Sequence, residues 1–231
     1  MPPIVFFGGA AGLAILLAAV AFAVAGLTGS ARSAPRQSQV ADSGPTPQSY
    51  FDSPSTKVFT GIDRRSTDPA PLTLDEVFPA APLADSRTKS HLALAGKRLD
   101  NHCDQAVWGQ ALAADLRKAG CTQAARGLYT DPRTGYAAAI TILNLDGAAS
   151  ANRIVHALGP QGDGGFVLPL PGPVGTGFGM ARGLAMGHYA VISWVQRIDG
   201  TGDERNEALL SLLVTTGNPP SVYGRAAAHT P

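Results

Sequence analysis

The chain has 231 residues, of which 45% are apolar and only 15% charged, with a formal net charge of +1. Alanine, glycine and proline fill 83 positions, which is too apolar for a disordered protein and too irregular for a collagen or a coiled coil. Arginine (14) outnumbers lysine (4) and aspartate (14) outnumbers glutamate (3), a pattern of high-GC codon usage. No segment carries a basic excess, so no nucleic-acid partner is expected.

From Ile4 to Leu27 no residue is charged. As a helix these 24 residues would measure about 36 Å, enough to cross a hydrocarbon core of about 30 Å. The run is longer than the apolar core of a signal peptide and lacks a basic region before it, so a retained anchor is expected at residues 1–27. Arg32 and Arg36 follow the span and by themselves favour a cytoplasmic C-terminal side. Residues 28–89, with eight prolines and many Ser, Thr and Gln, instead read as a solvated spacer of the kind that carries a domain outside the membrane. The expected location is therefore the cell membrane, single-pass, with an extracytoplasmic C-terminal domain. Leu72 to Pro79 interrupts the spacer as a short apolar patch, read as a helical turn docked on the domain or as a partner-binding peptide.

The domain is expected over residues 90–217. Ser90 to Leu99 is a weak strand candidate. Trp108, Ala111, Leu112 and Leu116 give Ala106 to Ala119 one apolar helical face, stopped by Gly120. Thr122 to Thr130 reads as a strand, Asp131 to Gly135 as a turn, and Tyr136 to Leu145 as a central strand apolar on both faces. Asp146 is placed to cap a helix with a stripe at Ala151, Ile154, Val155 and Leu158. Residues 159–187 hold ten glycines and read as a long loop with one short strand at Phe166 to Leu168. Tyr189 to Ile198 is the strongest strand signal, and Thr201 to Glu204 resembles a capping box opening a helix to Thr216. Asn218-Pro219-Pro220 ends that helix, leaving residues 218–231 as a flexible tail.

In order, these elements give an α+β class: a ferredoxin-like βαββαβ sandwich with an additional C-terminal helix, preceded by the transmembrane helix. The strand at 189–198 would then lie at an edge although both its faces are apolar. The last helix, a hairpin partner from the Gly-rich segment or a second copy of the domain would have to cover it.

Cys103 and Cys121 are candidates for a disulfide. A straight helix over residues 104–119 would hold them about 24 Å apart, beyond the ~7 Å that a bridge tolerates. The bridge therefore needs a helix that begins near Trp108 or Gly109; otherwise the thiols are free or pair between chains. His102-Cys103-Asp104 lacks metal-site spacing, and neither cysteine lies in a Cys-x-x-Cys. Gly175 to Gly183 fits no nucleotide-binding register. His156 reads as a surface histidine, and Asp146, Asp199 and Asp203 as caps and turns. No catalytic, cofactor-binding or metal-binding residue is assigned. The remaining candidate is a ligand pocket beneath residues 160–187, near His188, Tyr189 and Trp194.

The pattern Cys103, Trp108-Gly109, Leu116, Gly120-Cys121 and Ala125-Arg126-Gly127-Leu128-Tyr129 resembles the small anchored domains of uncharacterised single-pass membrane proteins of high-GC Gram-positive bacteria, over about residues 70–215. The resemblance implies an anchored extracytoplasmic domain and transfers no activity or site residue. The expected function is a membrane-tethered, non-catalytic interaction or accessory module of the cell envelope, in contact with the membrane through residues 4–27 and with an envelope protein or a second copy of itself. The alternative is an extracytoplasmic small-molecule sensor or enzyme with its pocket under the Gly-rich loop. A concave, partly polar pocket there favours a ligand, and an exposed apolar patch favours a protein partner.

Overall fold

Two strands with apolar residues on both faces demand cover on both sides, and the architecture follows from that demand. The structure is a computed structural model that describes residues 40–229 except 161 and 163. The strands are β1 (Ser49–Ser53), β2 (Leu83–Asp85), β3 (Ser90–Asp100), β4 (Val107–Trp108), β5 (Gln123–Asp131), β6 (Tyr136–Asn144), β7 (Phe166–Val167), β8 (Gly179–Met186) and β9 (Tyr189–Arg197). The helices are α1 (Leu74–Val77), α2 (Gln110–Lys118), α3 (Ala148–Ala157), α4 (Glu207–Thr216) and α5 (Pro220–Ala228). Seven strands form one sheet in the order β1-β8-β9-β6-β5-β3-β2, and β4 and β7 pair as a separate ribbon. Only the β1–β8 pairing is parallel; the other neighbours in the large sheet are antiparallel.

The large sheet is covered on both faces. Period-two alternation sends Ala137, Ala139 and Leu143 of β6, with Ala190, Ile192 and Trp194 of β9, into one core. There Leu112 and Leu116 of α2 and Ala151, Ile154 and Val155 of α3 meet them. The intervening Ala138, Ile140, Ile142, Val191 and Val195 enter the other core. That side is covered by Leu209, Leu212 and Leu213 of α4, Val222 and Ala226 of α5, and Phe59, Ile62, Leu72, Val77 and Phe78 from the N-terminal segment.

This arrangement corrects the ferredoxin-like expectation. A βαββαβ sandwich would leave the 189–197 strand at an edge, whereas β9 lies between β6 and β8. The hairpin partner came from the Gly-rich segment: β8 lies inside the stretch expected to be a loop. Its small residues hid it. Gly183 has to be small, because a Cβ there would stand 2.0 Å from Tyr50 Oη and 3.1 Å from Val155 Cβ.

Of the expected spacer, residues 28–39 lie outside the described residues, and residues 40–89 are folded, holding β1, β2, α1 and a 3-10 turn at Lys57–Ile62. The patch at 72–79 is docked, with Leu72, Val77 and Phe78 buried. Residues 218–229 are not a tail: Pro219-Pro220 ends one helix and starts the next, with proline in the first turn of α5. Helix α4 starts at Glu207 with Asn206 as its cap, the Asn206 side chain accepting from the Leu209 amide at 3.2 Å, so the 201–204 capping box does not form. Gly147, not Asp146, precedes α3.

The expected membrane span at 4–27, including the transmembrane helix of the fold expectation, lies outside the described residues. Among the described residues no helix is long and apolar enough to cross a membrane.

Ile142 and Leu143 are adjacent, fully buried and in opposite cores. Replacing either with Ala is predicted to cost about 2–5 kcal/mol in urea unfolding. A cost below about 1 kcal/mol at one of the two would mean that its face is uncovered.

Candidate functional site

Cys103 and Cys121 are joined as a disulfide, with Cα atoms 6.1 Å apart. The bridge forms because α2 begins only at Gln110. Before it, Cys103–Ala106 is a 3-10 turn and Val107–Trp108 is a short strand against Phe166–Val167. Gly109 makes the break: its φ is +93°, and a Cβ there would press to 2.6 Å from Gly165 Cα. In the chain-entropy picture a loop of this length is worth about 3 kcal/mol. His102, Asp104 and Arg117 rim a cavity of about 120 Å³ beside the bridge. Among the described residues no group of three or more His, Cys, Asp or Glu side chains is placed to hold a metal ion.

A cleft of about 290 Å³ lies at the Gly-rich loop, lined by Tyr50, Trp108, Leu158 and Phe166 together with Gly159, Pro160, Gly162, Gly164 and Gly165. Its polar groups are turned toward the protein. The Tyr50 hydroxyl donates to Val155 O at 2.6 Å, and the Trp108 indole N–H donates to Pro45 O at 2.9 Å. The segment before β1 is strapped down here, with Gly109 N donating to Ala41 O (2.8 Å) and the Gln110 side-chain Nε2 to Val40 O (2.8 Å). Gly44 lies on the indole, where a Cβ would be 2.3 Å from Trp108 Cδ1.

The three residues proposed from sequence as pocket neighbours are divided between the two cores. Trp194 is fully buried in the first, in edge contact with Phe166 at 5.4 Å. His188 and Tyr189 lie on the opposite side of the sheet. Gly187 (φ +60°) and His188 form the two-residue turn between β8 and β9, and this turn is buried under the N-terminal segment. The His188 backbone N–H donates to Ile62 O at 2.9 Å and its ring Nδ1 lies 2.8 Å from the same oxygen. The ring stacks on Tyr189 at 3.9 Å between centroids.

Around this pair gathers a buried polar cluster. The Tyr189 hydroxyl donates to Asp68 Oδ2 at 2.7 Å. Arg225 of α5 donates to Asp68 Oδ1 (3.0 Å), to Tyr189 Oη (3.0 Å), to the carbonyls of Ala70 (2.7 Å) and Pro71 (3.0 Å), and in a two-pronged fork to Glu76 (2.5 and 2.7 Å). Burial, and then the Asp68 carboxylate, push the Tyr189 hydroxyl well above its ordinary range despite Arg225. Burial also holds the His188 imidazole below its ordinary range, against the opposing pull of Ile62 O and Asp68. Arg225 thus acts as a fastener between the C-terminal helix and the 68–76 segment. Sequence reading found His188 and Tyr189 but missed Asp68, Glu76 and Arg225, which lie in stretches taken for spacer and tail. His156 is a surface residue, its Nδ1 3.4 Å from Asp52 Oδ2.

A cleft of about 650 Å³ runs between α4 and the β2–β3 turn, with Arg87, Glu207, Leu210, Ser211 and Val214 on its walls. Leu210 and Val214, four apart on α4, are 39% and 56% exposed. Asp85 ties the two walls together, accepting from the Thr88 amide and hydroxyl (both 2.8 Å), Ser211 (2.9 Å) and Thr215 (2.6 Å). Burial alone would raise this carboxyl; the donors from Thr215, Thr88 and Ser211 outweigh it and bring the pKa down to about 2.

Comparison of the chain with protein-family models, with curated proteins and with solved structures finds no match.

Because the folded-state pKa of Asp85 is depressed, its contribution to stability is fully present above the unfolded value near 4 and is lost as pH falls toward about 2. Asp85→Asn is predicted to lose about 2 kcal/mol at pH 7 in urea unfolding, with the gap to the parent chain closing between pH 4 and pH 2. A gap that stays constant over that window would mean that the carboxylate charge plays no part.

Proposed function

We propose that the chain is a membrane-tethered, non-catalytic interaction module of the cell envelope, held through residues 4–27 with its domain on the extracytoplasmic side. The observation that carries the reading is the apolar stripe of Leu210 and Val214, exposed on α4 beside the edge strand β2. Exposed apolar side chains at helical spacing, next to a polar rim of Arg87 and Glu207, suit a protein partner. The Cys103–Cys121 bridge supports the extracytoplasmic side, because disulfides persist in oxidising compartments.

A second reading, a small-molecule sensor or enzyme, rests on the three aromatic side chains of the Gly-loop cleft, Tyr50, Trp108 and Phe166. Its volume of about 290 Å³ lies at the lower edge of the roughly 300–1,000 Å³ typical of ligand pockets. With the Tyr50 hydroxyl and the Trp108 indole N–H already engaged, the cleft supports this reading less well.

A photo-crosslinking residue at position 214, in the full chain in native membranes, is expected to give a discrete adduct with an envelope protein or a second copy. Leu210→Asp should abolish that adduct while leaving the thermal midpoint unchanged within about 2 °C. An adduct pattern at 214 no different from one at the exposed position 118 would overturn the α4 surface as the contact.

A further inference from the structure

We propose that the buried junction of Asp68, His188 and Arg225 is an acid-released latch that holds the C-terminal helix α5 on the domain.

The argument begins with the surroundings of His188. The residue is fully buried, and its Nδ1 is committed to Ile62 O at 2.8 Å. With the ring proton on Nδ1, the nitrogen Nε2 presents a lone pair and has no hydrogen-bond partner. The nearest charged oxygen is Asp68 Oδ2 at 3.9 Å, itself an acceptor already engaged by Tyr189. A neutral imidazole therefore faces acceptors from both ring nitrogens and can satisfy only one of them.

Every element packed on the ring contributes a titratable or charged group. The 62–70 segment supplies Arg65 and Asp68, β9 supplies Tyr189, and α5 supplies Arg225, with Glu76 of α1 behind it on the guanidinium. His229, just past α5, brings a second imidazole to 3.7 Å from Asp68 Oδ1. Burial and the two arginines oppose a proton on His188, while Asp68 and Ile62 O favour one, and the opposition prevails. At neutral pH the latch is closed around a neutral ring.

The sign follows from linkage. A histidine whose closed-state pKa lies below its ordinary value of about 6.5 takes up a proton more readily once the junction opens. Closure is fully stable above about pH 6.5 and weakens as pH falls below it, by at most about tenfold in the open population per pH unit for one proton. Asp68 is shared between His188 Nε2 and Arg225, and Arg225 makes five side-chain hydrogen bonds between α5 and the 68–76 segment. The part that lets go is thus α5, which covers the second core through Val222 and Ala226.

The test is amide hydrogen exchange of the full chain from pH 7.5 to 5.5, corrected for the intrinsic pH dependence. Protection in α5 should fall several-fold to tenfold per unit below about pH 6.5 while protection in β6 is retained. His188→Gln should remove this pH dependence, and His229→Gln should keep it. If His188→Gln does not fold, an NMR titration of His188 in the parent chain decides, with a midpoint well below the ordinary histidine value of about 6.5 expected. Equal loss of protection in β6 and α5, persistence of the effect in His188→Gln, or a His188 midpoint at or above about 6.5 overturns the latch.

Discussion

The constraint on which the rest of this structure depends is the double-sided apolarity of β6 and β9. Each buries side chains on both faces, so each face needs its own layer of roughly 10 Å of packed side chains. The segment between β4 and α3 builds one layer, with α2 and α3. The other layer has no single source. It is assembled from the two ends of the described chain, the 59–78 stretch and the helices α4 and α5. Arg225 and Asp68 fasten these ends together across more than 150 residues of sequence. A single arginine with six hydrogen bonds at this junction does for the second layer what the disulfide does for the start of α2.

This division separates stability from exposure. The polar groups of the Asp68 junction are buried and largely spent on one another, which suits a structural fastener. Leu210 and Val214 of α4 belong to the same helix that covers the second core, yet they face outward. One helix therefore serves two surfaces, packing inward through Leu209, Leu212 and Leu213 and presenting an apolar stripe outward. Asp85 fixes the β2–β3 turn against that helix through Ser211 and Thr215 and so shapes the cleft beside the stripe.

The sequence made the central strands legible because period and length agree there: β6 and β9 fall where Tyr136 to Leu145 and Tyr189 to Ile198 predict them. It also raised the need for a cover over the 189–198 strand and named the Gly-rich segment as one source of a partner. The topology was not legible. The glycines and alanines of β8 carry no strand propensity, and the smallness of its two glycines is explained only by tertiary neighbours, Tyr50 and Val155 at Gly183 and Trp194 at Gly179. Proline and serine content disguised β1 and the 57–71 stretch as spacer, although Phe59 and Ile62 were visible as apolar residues awaiting a core, whereas the Leu72 to Pro79 patch was legible as a docked turn. His188 and Tyr189 could be singled out, but their partners are distant in sequence and nothing local marks Asp68 or Arg225. The prolines at 219 and 220 were read only as a stop, when proline in a first helical turn is equally a start.

The claim that residues 40–89 are part of the domain can be measured most directly by amide hydrogen exchange on the full-length chain. The hydrogen-bonded amides within Ser49–Ser53, together with those of Val77 and Phe78, which bond to Thr73 O and Leu74 O, are predicted to exchange at least about 100-fold more slowly than an unstructured chain. Exchange at the unstructured rate throughout residues 40–89 would contradict the account and return that stretch to the role of a spacer.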